Sequence, residues 1–82
     1  MTQETINSVI ESLTQIYQDN SVPKNVRIKI ECAITALQNQ ELNVKVKIDK
    51  SLQELDNLDE DPNIPVYTRT QIWNVVSLLE SL

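Results

Sequence analysis

Apolar side chains recur every three to four residues along this chain, in four separate stretches. Ile6, Val9, Leu13 and Ile16 share one face of a helix expected from about Thr2 to Gln18, and Ile10 and Tyr17 widen that stripe. Asp19-Asn20-Ser21 ends it, with Asn20 suited to a left-handed C-cap. Pro23 opens the second helix, because a proline in a first turn gives up no intrahelical hydrogen bond, and Ser21 is the candidate N-cap. Val26, Ile30, Ala33, Ile34 and Leu37 form its stripe, and Asn39 stops it. A third helix is expected from about Asn43 to Leu58, with Val44, Ile48, Leu52, Leu55 and Leu58 inward. "DEDPNIP" breaks it with two prolines. The fourth runs from about Pro65 to the end of the sequence, with Ile72, Val75, Val76, Leu79 and Leu82 on one face. Trp73 and Leu78 lie off that face, so this helix is expected to be central or to meet a partner.

The second pattern is a repeat. Shifting the chain by 42 residues aligns Ile6 with Ile48, Leu13 with Leu55, Asp19 with Asp61, Pro23 with Pro65, Arg27 with Arg69 and Ile30 with Ile72, without a gap. The expectation is a single all-α domain over 1–82, built from two duplicated HEAT-like helix hairpins at about 2–40 and 43–82. The four antiparallel helices close into a compact bundle. The likeness to HEAT repeats is partial, since the loop aspartate sits further from the arginine and Val26 becomes Thr68. "VRIKI" at 26–30 also echoes "VKVKI" at 44–48, which cuts across a strict two-unit reading. One hairpin cannot cover its own apolar face. The off-stripe residues Ile28, Cys32, Ala36, Val46, Trp73 and Leu78 offer a second apolar surface, expected to make the bundle a homodimer.

Composition narrows the chemistry. There is no glycine and no histidine. Without glycine there is no phosphate-cradling loop, dinucleotide fingerprint or nucleophile elbow. Without histidine the commonest general base and metal ligand is missing. The one cysteine, Cys32, has no activating neighbour in the pattern and reads as a small packed residue. No catalytic residue, cofactor or metal is expected. Asp59, Asp61 and Asn63 alternate like the start of a calcium loop, but Ile64 stands where that loop needs glycine and Thr70 where it needs glutamate.

The net charge is −5 and unevenly spread. Residues 24–50 carry six bases, Lys24, Arg27, Lys29, Lys45, Lys47 and Lys50, against three acids. Residues 51–61 carry five acids and no base. Those acids fall at a helix C-terminus, where the helix dipole disfavours them, and a basic partner segment would rationalise them. The basic stretch is the basis of an alternative, a nucleic-acid-associated accessory protein, but it has no interleaved aromatic for base stacking. The repeated set Asp19, Pro23, Arg27 and Asp61, Pro65, Arg69 reads as a structural turn, each arginine bridging to its turn aspartate or to the neighbouring hairpin, with a grip on an anionic ligand as the alternative. Tyr67 and Trp73 either pack at the seam between the hairpins or anchor a partner, and with Leu78, Ile28 and Val46 they are the candidate partner-binding residues. No apolar run approaches the roughly 18 residues of a membrane span, and no signal peptide is evident, so a cytoplasmic protein is expected.

The ending "DPNIPVYTRTQIWNVVSLLESL", with "DNSVPKNVR" and the near-terminal "IW", resembles a family of small archaeal helical proteins known only as an uncharacterised protein family. The resemblance covers nearly the whole chain. It implies an all-helical fold and a cytoplasmic archaeal protein, and it implies no activity. The middle stretch "NQELNVKVKIDKSLQ" departs from that family in being richer in Asn and Gln. Residues and resemblance together leave the biochemical role unknown, with a non-catalytic interaction or self-assembling module as the expectation.

Overall fold

The computed structural model describes residues 2–56 and 58–82. Four helices follow one another: α1 (Thr2–Tyr17), α2 (Lys24–Gln38), α3 (Val44–Leu55) and α4 (Val66–Glu80), with one 3₁₀ turn, Leu58–Glu60, between the last two. α2 packs on α1 and most extensively on α3, α4 packs on α1, and α4 meets α3 least. The order of contacts is thus a closed ring, an all-α bundle with a radius of gyration of 11.8 Å, matching the roughly 12 Å expected of one domain of this length.

The stripes read from the sequence form the core. Ile6, Val9, Leu13 and Ile16 of α1 are fully buried, as are Val26, Ile30, Ala33 and Leu37 of α2 and Ile72, Val75 and Leu79 of α4. Ile10, Tyr17, Ile34, Leu52 and Val76 pack half-buried around them. Two polar residues outside the stripes join them: Ser51 and Thr68 are also wholly buried. Ser51 donates its hydroxyl to the Ile48 carbonyl at 2.9 Å, which removes the cost of burying an unpaired donor.

Four expectations are corrected. α3 ends at Leu55, not Leu58. Asp56 caps it in extended conformation, and Leu58 reaches the core from the 3₁₀ turn instead. Val44, in the first turn of α3, is 42% exposed, and Leu82, beyond the end of α4, is 42% exposed, so neither is core. Ser21 does not cap α2; Pro23 occupies that place without a side-chain bond. Ser21 turns back and gives both its N–H and its hydroxyl to Asp19 Oδ1, at 2.9 and 2.7 Å. Finally, α4 is not central, since Val66, Tyr67, Trp73 and Leu78 on it remain exposed.

A chain without glycine lacks the residue that most readily turns a tight corner. All three corners between helices use one device. Asp19, Asn39 and Asp61 each accept the N–H two residues on with a side-chain oxygen, at 2.9, 3.0 and 2.8 Å. Each also accepts the N–H three residues on with its carbonyl: Val22, Leu42 and Ile64, at 3.1, 3.3 and 3.4 Å. These side-chain-closed turns do for Asx residues what left-handed glycine does elsewhere. The next residue starts the helix. Pro23 and Pro65 do so by fixing φ near −60°, and Asn43 does so by accepting the Val46 N–H at 2.9 Å.

Candidate functional site

Two places on the surface bring together residues singled out by the sequence. The first is where the corner before α2 meets the corner before α4. Tyr67 Oη donates to Asp19 Oδ2 at 2.7 Å, and Ser21 Oγ lies 3.1 Å from the same phenol oxygen. In return, Asn25 Nδ2 donates to Asp61 Oδ2 at 3.4 Å. Under the 42-residue shift, Asn25 takes the place of Tyr67 and Asp19 that of Asp61. The two bonds thus join positions that correspond under that shift, each corner gripping the other. The hydroxyl of Ser21, then Tyr67 and the Ser21 N–H, hold the Asp19 carboxyl below the usual carboxylate range.

The arginines of these corners do not reach the carboxylates. Arg69 Nη2 donates to the backbone carbonyl of Asp61 at 3.3 Å. The Arg27 guanidinium stands 5.8 Å from the centre of the Tyr17 ring, within cation–π range. In both side chains Nε is buried without a partner.

The second place is the seam between α3 and α4. Trp73 Nε1 donates to Asp59 Oδ2 at 2.7 Å across it. The same positions in the first hairpin are Glu31 and Tyr17. There the Glu31 carboxylate beside the Tyr17 hydroxyl raises the phenol above its ordinary value. An aromatic side chain thus faces a carboxylate at both pairs of positions, in exchanged order. α3 is the shortest helix and packs lightly on α4, so its seam stays open as a groove. One end, of about 530 Å³, has Leu52, Leu55, Ile72, Trp73 and Val76 as its floor and Asp56, Asp59 and Glu80 at its rim. The other end, of about 620 Å³, shares Leu52 and Glu80 and adds Val44, Ile48, Asp49 and Leu82.

The candidate partner-binding residues do not fall on one surface. At 100° per residue, Trp73 lies on the flank of α4 nearer α3, while Tyr67 and Leu78 lie on the opposite flank. Ile28 is exposed on α2, and Val46 is half-buried on α3. Cys32 is exposed, contrary to its reading as a packed residue. The lysines are interspersed with acids: Lys50 lines a cleft between α2 and α3 together with Glu31 and Glu54. Among the described residues no group of three or more His, Cys, Asp or Glu is placed to hold a metal, and no helix is long and apolar enough to cross a membrane.

Comparison with known proteins gives a family and a fold. The profile of the Uncharacterised protein family (UPF0147) matches residues 1–82. A UPF0147 protein of Pyrococcus furiosus is 43% identical, covering 98% of this chain and 87% of its own. One from Methanothermobacter thermautotrophicus is 40% identical over all of this chain and 80% of its own. The crystal structure of a protein of unknown function, MMP1188, superposes with a TM-score of 0.91 at 39% identity, covering 98% of this chain and 91% of that one.

Proposed function

The chain belongs to the uncharacterised protein family UPF0147, and from that premise we propose that it is a non-catalytic helical interaction module that pairs with a second copy of itself through the outer face of α4. The observation that carries this reading is the flank of α4 away from Trp73, where Tyr67 is 55% and Leu78 41% exposed. A domain this small buries only about 60–65% of its unfolded surface, so further burial between copies is worth having. The residue inventory supports the non-catalytic part, since a chain without histidine lacks the usual proton-transfer group at neutral pH.

The same reading takes the bundle as two duplicated antiparallel hairpins of HEAT-like kind. The reciprocal pairs Asn25–Asp61 and Tyr67–Asp19 support it, as do the exchanged aromatic and carboxylate positions at 17/31 and 59/73. In it Asp19, Pro23, Arg27 and Asp61, Pro65, Arg69 shape the corners rather than hold a ligand.

Light scattering on the eluting protein tests the pairing. The mass should rise from monomer toward dimer with concentration, and Leu78→Ser should hold it at monomer with helix content unchanged. A monomeric mass at every concentration refutes it.

A further inference from the structure

We infer that the α3–α4 groove is the docking site for a cationic amphipathic helix of another protein, a proposal that rests on the non-catalytic interaction reading above. The floor is apolar along the seam, from Val44 and Ile48 at one end to Leu55 and Trp73 at the other. α3 supplies 12 residues of wall, about 18 Å at 1.5 Å per residue, so the groove takes roughly three turns of an incoming helix. Apolar residues at i, i+3, i+4 and i+7 are the means by which a helix fills such a groove.

The rim says what must flank those anchors. Asp49, Asp56, Asp59 and Glu80 line the groove against a single base, Lys45. Asp56 and Asp59 follow the C-terminus of α3, where the helix dipole is already negative and each added acid costs stability. The fold does not require these charges. The corresponding positions of the first hairpin are Asn7, Thr14, Tyr17 and Gln38, none of them ionised at neutral pH. That hairpin has its own acids, Glu11 and Glu31, at the positions of Gln53 and Trp73. The cleft at its seam that answers to the Val44 end of the groove is lined by Gln3, Asn7, Gln38 and Gln40, with Lys47 and without a carboxylate. One seam is neutral to basic at that end and the other acidic, on the same backbone plan. Lysine or arginine flanking the apolar anchors would meet the rim acids, and one of them can lie over the Trp73 ring.

Trp73 is the only tryptophan and lines the groove, so it reports occupancy directly. The probe is a synthetic Leu/Lys amphipathic helix of about 14 residues without aromatics, enough to span three to four turns. A matched Leu/Glu peptide is the control. The Leu/Lys peptide should give a saturable change in Trp73 emission that weakens as salt rises. Asp56→Asn with Glu80→Gln, which leaves the Trp73–Asp59 bond alone, should weaken it roughly three- to tenfold, as expected of two rim charges. Asp56→Lys with Glu80→Lys should reverse the preference toward the Leu/Glu peptide. Circular dichroism confirms that both variants are folded.

No saturable change, equal response to both peptides, or unchanged affinity in the neutralised variant each overturns the proposal. So does an emission change that appears with rising protein concentration alone and vanishes in the same variant, because the occupant is then a second copy. Leu78→Ser separates the two readings: it should abolish pairing and leave peptide binding intact.

Discussion

Thr68 offers the sharpest test of the packing. Its side chain is wholly buried, and its Oγ1 has no hydrogen-bond partner. Its counterpart 42 residues earlier is Val26, wholly buried and nearly the same shape. Thr68→Val therefore exchanges a stranded hydroxyl for a methyl group in a site that the same fold fills with valine elsewhere. A buried hydroxyl without a partner costs about 1–3 kcal/mol by mutational measures, and Thr and Val hardly differ in helix propensity. The substitution should thus stabilise by about 1–3 kcal/mol, and even the lower end raises Tm by about 4–8 °C in a domain of this size. The reverse change, Val26→Thr, should cost a similar amount. Thr70→Val is the control, because Thr70 is exposed on the same helix and its hydroxyl already donates to the Val66 carbonyl at 3.3 Å; it should stay within about ±0.5 kcal/mol. Urea unfolding followed by Trp73 emission and circular dichroism reads all three, with the slope m unchanged. If Thr68→Val destabilises, or Val26→Thr is neutral, the hydroxyl at this position is satisfied and the reasoning fails.

Three further outcomes follow from the same geometry. Leu55→Ala removes a wholly buried side chain and should cost about 2–5 kcal/mol, whereas Val44→Ala, at a site 42% exposed, should cost less than about 1 kcal/mol; equal losses in urea would contradict the later start assigned to the inward stripe of α3. The Asp19 carboxyl is held below its ordinary value of 3.8, so its contribution is complete above that pH and is lost as the pH falls through the lower folded value; Asp19→Ala should flatten the acid limb of a stability–pH curve, and an unaltered limb would count against the bonds from Ser21 and Tyr67. The Tyr17 phenol is raised above 10.0 by the Glu31 carboxylate beside it, so its contribution is present below that pH and lost as the pH rises through the higher folded value; Tyr17→Phe should flatten the alkaline limb in thermal melts.

Much of this molecule was written in periodicity. Ile6 to Ile16, Val26 to Leu37 and Ile72 to Leu79 sit at helical spacing and are buried accordingly. The end of α3 is not legible in the spacing because Leu58 keeps it while the backbone changes: the helix ends at Leu55 and a 3₁₀ turn delivers Leu58 to the core. No proline or glycine marks the break in residues 56–60. The repeat exposed two of the corners, and the third was visible only in hindsight. Asp19, Asn39 and Asp61 are each followed three residues later by Val22, Leu42 or Ile64, then by Pro23, Asn43 or Pro65, but Asn39 lies off the 42-residue register. The docking of the corners was hidden for a chemical reason, since Asn25 and Tyr67 are dissimilar residues that happen to donate to equivalent carboxylates. The groove was hidden because it arises from a shortfall in packing between α3 and α4, which spacing along one helix cannot reveal. Thr68, read as a lapse in the repeat, is a polar atom held in the core.

The packing of α1 on α4 sets a schedule for synthesis. Ile6, Val9, Leu13 and Ile16 are made well before the helix that closes over them, since α2 and α3 come between. At about 5–20 residues per second, that interval lasts on the order of several seconds. Throughout it, the face of α1 that α4 will cover lacks its native partner.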